Sequence, residues 1–270
     1  MLRHKQIGII GAGNMAEALV RGLLQPAGVV DPDHLAVSDI SEERVNCLRK
    51  TYGMKTFLDN AAVVKSSEIL ILAVKPQVVP VVLQEIAEYV DTKKLVVSIA
   101  AGVNIAAIQD VLEAVRIVRA MPNIAALVHA AVTALSPGKY ATETEVQISR
   151  EIFSAVGDTV VVEEKLMDAV TGLSGSGPSY VFHIINALAD AGVKVGFSRD
   201  IAQQLAIQTL YGSAKMARES GKHPMQLRDM VTSPGGTSIA GVHALERGGL
   251  TATLIDAVEA ATKRSQELGA

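Results

Sequence analysis

The chain of 270 residues has one cysteine, no tryptophan and only 3% aromatic residues. The single cysteine, Cys47, can form neither an internal disulfide nor a thiolate metal site, so we expect a reducing compartment and no metal. The 25 basic and 28 acidic residues leave a net charge of −3. This balance lacks the positive excess that is typical of proteins that bind nucleic acid. We therefore predict neither a metal site nor a nucleic-acid partner.

Long hydrophobic runs are also missing, although the mean hydropathy is +0.30. The apolar stretches at residues 78–83 and 95–101 are far shorter than the ~20 residues that a membrane-spanning helix requires. The first five residues lead directly into a strand-like segment and show no signal-peptide pattern. We expect a cytoplasmic globular protein that is long enough for two domains.

The first part of the chain alternates strand-like runs with helical patterns. Continuous apolar runs, typical of parallel strands buried on both faces, occur at residues 6–10, 35–38, 69–73 and 95–99. Helix signals lie between and after these runs. Ser41 can cap one helix, and Asn104 can cap another over residues 105–112. Thr142 and Glu145 have the spacing of a capping box. The alternation predicts an α/β, Rossmann-like doubly wound domain over residues 1–164.

The remaining part, residues 165–270, shows helical patterns and no strand-length β-branched run. It is predicted to form an all-α domain. Within it, residues 180–197 are apolar around nearly the whole helix, and such a helix must be buried all round. A helical domain of about 100 residues buries such a helix poorly by itself, so we expect a partner subunit to cover it in an obligate homo-oligomer. His183, on this helix, is expected to be a core residue.

The first chemical signal is a G-x-G-x-x-A sequence that follows the first predicted strand and opens a helix. It consists of Gly11, Ala12, Gly13, Asn14, Met15 and Ala16. In this context Gly11 allows a tight turn, Gly13 lets a pyrophosphate approach the backbone, and Ala16 lets the helix lie close to the strand. The helix N-terminus adds free N–H groups for phosphate. The pattern indicates dinucleotide binding; the alternative is a tight turn without a ligand.

Other candidates follow later strands. Asp39 ends the second predicted strand, 23 residues after Ala16, near the spacing of the acidic residue that binds the ribose. It can alternatively cap the next helix beside Ser41. Residues 73–77 and 98–102 leave the strands predicted at residues 69–73 and 95–99, at the end where open α/β sheets bind ligands. Lys75 is either functional there or simply solvated.

Two glycine- and serine-rich stretches, 172–178 and 233–238, precede helices in the second part. Their N–H groups and hydroxyls suit a carboxylate, although ordinary helix–helix turns have similar sequences. The sequence contains no H-E-x-x-H, G-x-S-x-G or P-loop motif, so metalloprotease, hydrolase and NTPase functions lack support. Nicotinamide-dependent oxidation or reduction is the function that this fold then favours.

Several motifs together resemble the pyrroline-5-carboxylate reductase family, in the same order over essentially the whole chain. They are residues 9–16, 73–76, 97–102, 119–123, 172–178 and, most specifically, 227–237 with the sequence LRDMVTSPGGT. The resemblance implies reduction of 1-pyrroline-5-carboxylate to L-proline with NADPH or NADH, the last step of proline biosynthesis. It also implies a helical dimerisation domain, commonly with dimers assembled into a larger ring such as a decamer.

The resemblance also assigns residues to each part of the site. For the cofactor pyrophosphate it implies Gly11, Gly13, Asn14, Met15 and Ala16. For the adenosine ribose it implies Ser38, Asp39 and Asn60. For the nicotinamide half it implies Ala73, Val74, Lys75, Pro76, Ser98, Ala100 and Ala101. For the substrate it implies Ser176, Ser233, Gly235, Gly236, Thr237 and Ser238, of which the loop at residues 233–238 holds the carboxylate.

Thr237 and Ser238 are the candidate catalytic residues within that set. The family commonly has threonine at the position of Ser238, and serine retains the hydroxyl while losing a methyl group that restricts the rotamer. Two other functions stay open at this point. One is another nicotinamide enzyme, such as a 3-hydroxyacid dehydrogenase or a different imine reductase; the other is a non-catalytic dinucleotide-binding protein.

Overall fold

The computed structural model describes residues 2–25 and 29–269. Within them the chain forms eight strands: β1 (Ile7–Ile10), β2 (Leu35–Ser38), β3 (Lys55–Phe57), β4 (Ile69–Leu72), β5 (Leu95–Ser98), β6 (Arg116–Met121), β7 (Ala131–Pro137) and β8 (Gly157–Val161). The described α-helices are α1 (Asn14–Leu23), α2 (Glu42–Tyr52), α3 (Asn60–Lys65), α4 (Val79–Ile86), α5 (Ile105–Gln109), α6 (Glu143–Ser154), α7 (Met167–Val170), α8 (Gly177–Lys194), α9 (Arg199–Ser220), α10 (Pro224–Met230), α11 (Thr237–Arg247) and α12 (Leu250–Gly269).

The strands form one sheet in the order β3-β2-β1-β4-β5-β6-β7-β8. Every neighbouring pair is parallel except β6 and β7, which are antiparallel. The chain crosses from β3 on one side of β1 to β4 on the other, which creates the switch point at which doubly wound sheets bind ligands. The predicted Rossmann-like fold is confirmed, and the four predicted strands agree with β1, β2, β4 and β5 to within one residue.

The strands β1, β2, β4 and β5 are buried on both faces, as their continuous apolar runs predict. Ile7 and Ile9 of β1 face one apolar cluster, to which α1 and α6 contribute Leu19 and Phe153. Ile10 of the same strand faces the opposite cluster, which includes residues of α4 and α5. This alternation follows from the two-residue period of a strand. Because helices cover both faces of these strands, the ends of the strands are left for ligands.

The predicted caps form, with one difference in length. The Ser41 side chain accepts a hydrogen bond from Arg44 N, and the Asn104 side chain accepts one from Ala107 N. The Thr142 and Glu145 capping box is complete in both directions. The helix predicted over 105–112 ends at Gln109, however. The Gln109 amide donates to the carbonyl groups of Leu112 and Val115, which stabilises a turn into β6 instead of further helix.

Contacts divide the described chain into two compact units. The first comprises residues 2–25, 29–176 and 260–269, and the second comprises Gly177–Glu259. The division predicted from the sequence pattern lies at residues 164 and 165 and stays a prediction. In the described residues, every regular element after Glu164 is helical, in agreement with the absence of a strand signal there. No helix among the described residues has the length and hydropathy needed to cross a membrane.

The second unit leaves many large apolar side chains exposed. In α8 only Ala189 is buried, while Val181 and Phe182 are 45% and 63% exposed. Its small core consists of alanines of α8 and α9, and a Cβ atom on Gly192 would approach Ala202 Cβ to 2.8 Å. His183 is exposed in the single chain, so the expectation of a core histidine is wrong for the chain alone. The exposed apolar face is consistent with the predicted partner subunit.

Candidate functional site

The glycine-rich turn joins β1 to α1 at the switch point of the sheet. Gly11 has a φ of +103°, and a Cβ atom there would lie 2.6 Å from the Ala73 carbonyl oxygen. A side chain at Gly13 would meet no atom within 4 Å. Gly13 and Asn14 are exposed, Met15 is half-buried, and Ala16 is buried where α1 meets the core. The turn therefore presents open backbone at the N-terminus of α1, which is the geometry that binds a phosphate.

Asp39 holds this turn from the end of the neighbouring strand. Its Oδ2 accepts a hydrogen bond of 2.6 Å from Ala12 N, and its Oδ1 accepts one of 2.8 Å from Ser41 N. The same carboxylate therefore stabilises the glycine-rich turn and the start of α2. The contact with Ser41 N agrees with the alternative that Asp39 supports the start of α2, and binding of the ribose stays a prediction.

Arg44 of α2 approaches the turn from the other side. Its Nε donates to the Ala12 carbonyl oxygen at 2.9 Å, and its Nη2 lies 2.7 Å from Glu17 Oε2. The hydrogen bond with Glu17 raises the pKa of Arg44, and burial opposes that rise. The Arg44 guanidinium is therefore hydrogen-bonded to the Ala12 carbonyl oxygen and to Glu17. The spacing of Arg44 and Glu17 in the sequence does not indicate this contact.

Ser38 and Asn60 form a polar chain beside the turn. Ser38 is fully buried, and its hydroxyl donates to Asn60 Oδ1 at 2.7 Å. The Asn60 amide in turn donates to Glu85 Oε2 at 2.9 Å. The Ser38 side chain therefore orients Asn60 and does not itself face solvent. Asn60, at the start of α3, is half-buried and is the more exposed member of the pair.

Two loops leave the carboxyl ends of the adjacent strands β4 and β5. In the first, Ala73 and Val74 are half-buried, Lys75 is exposed and Pro76 begins a short 3-10 turn. In the second, Ser98 and Ala100 are buried, whereas Ala101 is half-buried. Both loops lie at the same edge of the sheet as the glycine-rich turn, because β1, β4 and β5 are parallel neighbours. The structure thus brings the three predicted cofactor segments of the first unit together.

A cavity of about 550 Å³ lies beside these loops in the first unit. Its wall includes Pro76, Ala101 and Ser176, together with apolar side chains of α4, α5 and α12. Ser176 follows a wide helical turn, Thr171–Gly175, and its backbone N–H donates to the Thr171 carbonyl oxygen. Asn123 holds this turn by donating to the Ser174 carbonyl oxygen at 3.1 Å. Ser176 therefore shares a cavity with two of the predicted cofactor-binding residues.

The second glycine- and serine-rich stretch lies in the second unit, directly before α11. Gly235 has a φ of +69°, and Gly236 N donates to the Ser233 carbonyl oxygen at 2.9 Å, which closes a tight turn. Ser233, Thr237 and Ser238 are exposed. Gly236 precedes the helix as its N-cap without a side-chain capping bond. The first N–H groups of α11 consequently have no partner within the helix, beside two exposed hydroxyls, an arrangement that suits a carboxylate.

Among residues 2–25 and 29–269, no group of three or more His, Cys, Asp or Glu side chains could hold a metal ion. Cys47 is exposed and free.

Comparison with known protein families covers most of the chain. Residues 164–268 match the family described as pyrroline-5-carboxylate reductase dimerisation. Residues 6–102 match the family described as NADP oxidoreductase, coenzyme F420-dependent. The two matches correspond to the helical part and to the first strands of the sheet.

Curated relatives are similar over nearly their whole length. A pyrroline-5-carboxylate reductase of Methanosarcina acetivorans is 49% identical over 269 residues, covering 99% of both proteins. The pyrroline-5-carboxylate reductase of Arabidopsis thaliana is 45% identical over 263 residues, covering 97% of this chain and 95% of that protein. The solved structure of a pyrroline-5-carboxylate reductase from Coxiella burnetii has a TM-score of 0.94 and 36% identity, covering 98% of this chain and 99% of that chain. A pyrroline carboxylate reductase of Plasmodium falciparum, solved with NADP bound, has a TM-score of 0.88 and 32% identity, covering 100% of both chains.

Proposed function

The chain belongs to the pyrroline-5-carboxylate reductase family, and we infer from this that it reduces 1-pyrroline-5-carboxylate to L-proline with NAD(P)H. The observation that carries the inference is the identity of 49% over 99% of the chain with a curated member. The open glycine-rich turn at the switch point supports dinucleotide binding independently. With this activity, the chain is an oxidoreductase of proline biosynthesis, which acts on a C=N bond.

The residues at the strand ends fit the cofactor. Open space around Gly13 admits a pyrophosphate against the backbone, and the α1 N-terminus stabilises its charge. Asp39 and Asn60 flank this turn on the side of β2 and α3, which suits the adenosine ribose. The loops after β4 and β5 then take the nicotinamide half, with Ala101 leaving room for a flat ring. When bound, the nicotinamide supplies the hydride.

The turn at residues 233–238 holds the substrate in this proposal. The carboxylate accepts hydrogen bonds from the first N–H groups of α11 and from the hydroxyls of Thr237 and Ser238. Gly235 and Gly236 allow the tight backbone turn that exposes these groups. Ser233 adds an exposed hydroxyl at this turn, and Ser176 of the first unit is proposed to contact the substrate as well. Their exposed or cavity-lining positions support a role in binding.

The reaction requires little acid–base chemistry from the protein. A cyclic imine that binds with a proton on nitrogen is already electrophilic, so its carbon accepts the hydride and the nitrogen keeps its proton. The C=N π electrons become the nitrogen lone pair, and the product is a secondary amine. The protein's task is therefore to orient the ring and to hold the carboxylate. The Ser238 hydroxyl oxygen, which can accept a hydrogen bond from the protonated ring nitrogen, would contribute to that orientation.

The same proposal includes the assembly and its location. The exposed apolar face of α8 supports a homodimer formed through the helical part, residues 165–270, with residues 1–164 as the dinucleotide-binding domain. We further propose that the dimers assemble into a larger ring, such as a decamer, in the cytoplasm.

The decisive test is oxidation of NADH and NADPH by the purified protein in the presence of 1-pyrroline-5-carboxylate, with L-proline identified as the product. A panel of 3-hydroxyacids and other cyclic imines serves as the control for substrate class. Binding of NAD(P)H without turnover of the imine would contradict the proposed activity and would indicate a non-catalytic dinucleotide-binding protein.

A further inference from the structure

One carboxylate connects the start of α5 to a buried arginine of the sheet. Glu164 Oε1 accepts a hydrogen bond of 2.6 Å from Ile105 N, although the two residues lie 59 positions apart in the chain. The same oxygen lies 3.3 Å from Arg119 Nη1. Arg119 is only 5% exposed, so its charge needs a partner inside the protein. We refer to Glu164, Arg119 and Ile105 as the Glu164 cluster.

The Glu164 cluster holds both ends of the loop that follows β5. Ile105 is the first residue of α5 and follows this loop directly. Arg119 of β6 is the register partner of Ser98, the last residue of β5. Between these ends, residues 99–104 contain Ala101 and Gly102, which line the cavity. The Glu164 carboxylate thus links Ile105, where the loop ends, to β6, the strand that pairs with β5 where the loop begins.

Local capping of α5 does not explain this contact. Asn104 is the N-cap, and its side chain accepts from Ala107 N. Asn104 therefore leaves the N–H of Ile105 to another acceptor, and Glu164 supplies it from outside the helix. Since α5 has only five residues, it provides little stability of its own, and the loop depends on such outside contacts for a fixed position.

We propose that Glu164 and Arg119 are positioning residues that fix residues 98–104 for the nicotinamide half of the cofactor. This inference rests on the proposed function, in which this loop lines the nicotinamide. The Glu164 cluster acts through the loop backbone and touches no reacting atom. It is expected to affect the nicotinamide half and to leave the adenosine half, which binds at the ends of β1 and β2, unchanged.

The test compares two ligands on the full-length protein. NADH contains both halves of the cofactor, whereas ADP-ribose lacks the nicotinamide. Glu164→Ala removes both hydrogen bonds of the carboxylate. We expect this variant to bind NADH about tenfold more weakly, a loss of the size of one charge-assisted hydrogen bond. Its affinity for ADP-ribose should stay within about twofold of wild type. Glu164→Gln retains an acceptor oxygen for Ile105 N and is expected to give an intermediate affinity for NADH. In steady-state kinetics, the KM for NADH should rise while the KM for the imine carboxylate stays constant.

A second readout needs no ligand. Amide hydrogen exchange of the free protein should accelerate in peptides that cover residues 99–105 of Glu164→Ala, and less so in Glu164→Gln. The matched control is Glu145→Ala, because Glu145 pairs at 2.7 Å with Arg116, the first residue of the same strand, β6, three positions before Arg119. This control removes a comparable carboxylate–arginine pair and is expected to leave the exchange of residues 99–105 and the NADH affinity unchanged.

Three results would overturn the proposal. They are an equal loss of NADH and ADP-ribose affinity in Glu164→Ala, unchanged exchange of residues 99–105 in both Glu164 variants, and the same NADH defect in the Glu145→Ala control. If Glu164→Ala does not fold, Glu164→Gln decides by the same criteria. Failure of the proposed function is distinguishable, because it would appear in the wild-type protein as an absence of NADH binding or of imine reduction.

Discussion

Replacing Asp39 tests how this chain chooses between NADH and NADPH. Both carboxylate oxygens accept backbone hydrogen bonds, at 2.6 Å from Ala12 N and 2.8 Å from Ser41 N. These two bonds prevent the carboxylate from turning away from the glycine-rich turn. In the proposed site its negative charge lies beside the adenosine ribose, where NADPH carries a 2′-phosphate. We expect NADH to be a competent donor and Asp39 to limit the use of NADPH.

The expected change in cofactor preference follows from the distance between the Asp39 carboxylate and the 2′-phosphate. A phosphate charge ~4 Å from the carboxylate is repelled by about 4 kcal/mol at an effective dielectric constant near 20. Asp39 is half-buried, so solvent and salt screen part of this energy. About 1.4 kcal/mol of it corresponds to a tenfold change in an equilibrium constant. We therefore expect Asp39→Ser to raise the NADPH/NADH ratio of kcat/KM at least roughly tenfold.

The assay measures kcat/KM for both cofactors at fixed salt in wild type, Asp39→Ser and Asp39→Asn. Asp33→Ser, at an exposed position, controls for the change in net charge. Asp39→Asn removes the charge but retains one acceptor oxygen, so it separates repulsion from the hydrogen bonds that hold the turn. An unchanged NADPH/NADH ratio in both Asp39 variants would refute the reasoning. Asp39 would then serve only the glycine-rich turn and α2, and its loss would appear as lower thermal stability.

Three further predictions concern other parts of the chain. The double variant Thr237→Ala/Ser238→Ala should lose roughly tenfold or more in kcat/KM for the imine while NADH binding persists; near-wild-type kinetics would remove these hydroxyls from the site. The variant Ile184→Glu/Leu188→Glu should dissociate or aggregate, because it would bury unpaired charge at the proposed interface; a well-folded wild-type monomer in sedimentation at about micromolar concentration would contradict the interface. Glu145→Gln should lower the free energy of unfolding at neutral pH by about 1–2 kcal/mol. Burial raises the pKa of Glu145, but hydrogen bonds from Thr142 and Arg116 outweigh this effect and leave the pKa lowered. The stability that the ionised carboxylate contributes is therefore present above the unfolded-state pKa and is lost as the pH falls through the folded-state pKa. Urea unfolding of wild type and Glu145→Gln should show a difference in the free energy of unfolding at neutral pH that disappears in acid.

The sequence predicts the central strands because burial on both faces leaves continuous apolar runs, as in residues 69–72 of β4. It predicts the glycine-rich turn because Gly11 needs a positive φ, which other residues rarely adopt. The end of α5 is not predictable in this way. Residues 110–112 suit a helix locally, and the contacts of Gln109 with the approach to β6 decide the outcome.

Contacts between distant residues account for the parts of the site that the sequence misses. Nothing in the spacing of Glu164 and Ile105 indicates that they meet, since the fold alone brings them together. The engagement of Arg44 by Glu17 has the same origin. By contrast, the candidate turns at residues 11–16 and 233–238 are local in sequence, and their backbone geometry agrees with the pattern of their glycines.

The last turns of α12 belong to the first compact unit, and this has a consequence for synthesis of the chain. Ser265 donates to Asp168 Oδ1 at 2.6 Å, and a Cβ atom on Gly269 would lie 2.7 Å from the Gly102 carbonyl oxygen. Domains generally fold as units and N-terminal first during translation. Here the first unit cannot complete its contacts until residues 260–269 have left the ribosome, after the whole of Gly177–Glu259. A nascent chain stalled before residue 260 should therefore carry a formed sheet whose loop at Gly102 is held by the Glu164 cluster but lacks its contact with α12. Full protection of that loop from protease should arise only once residues 260–269 have emerged.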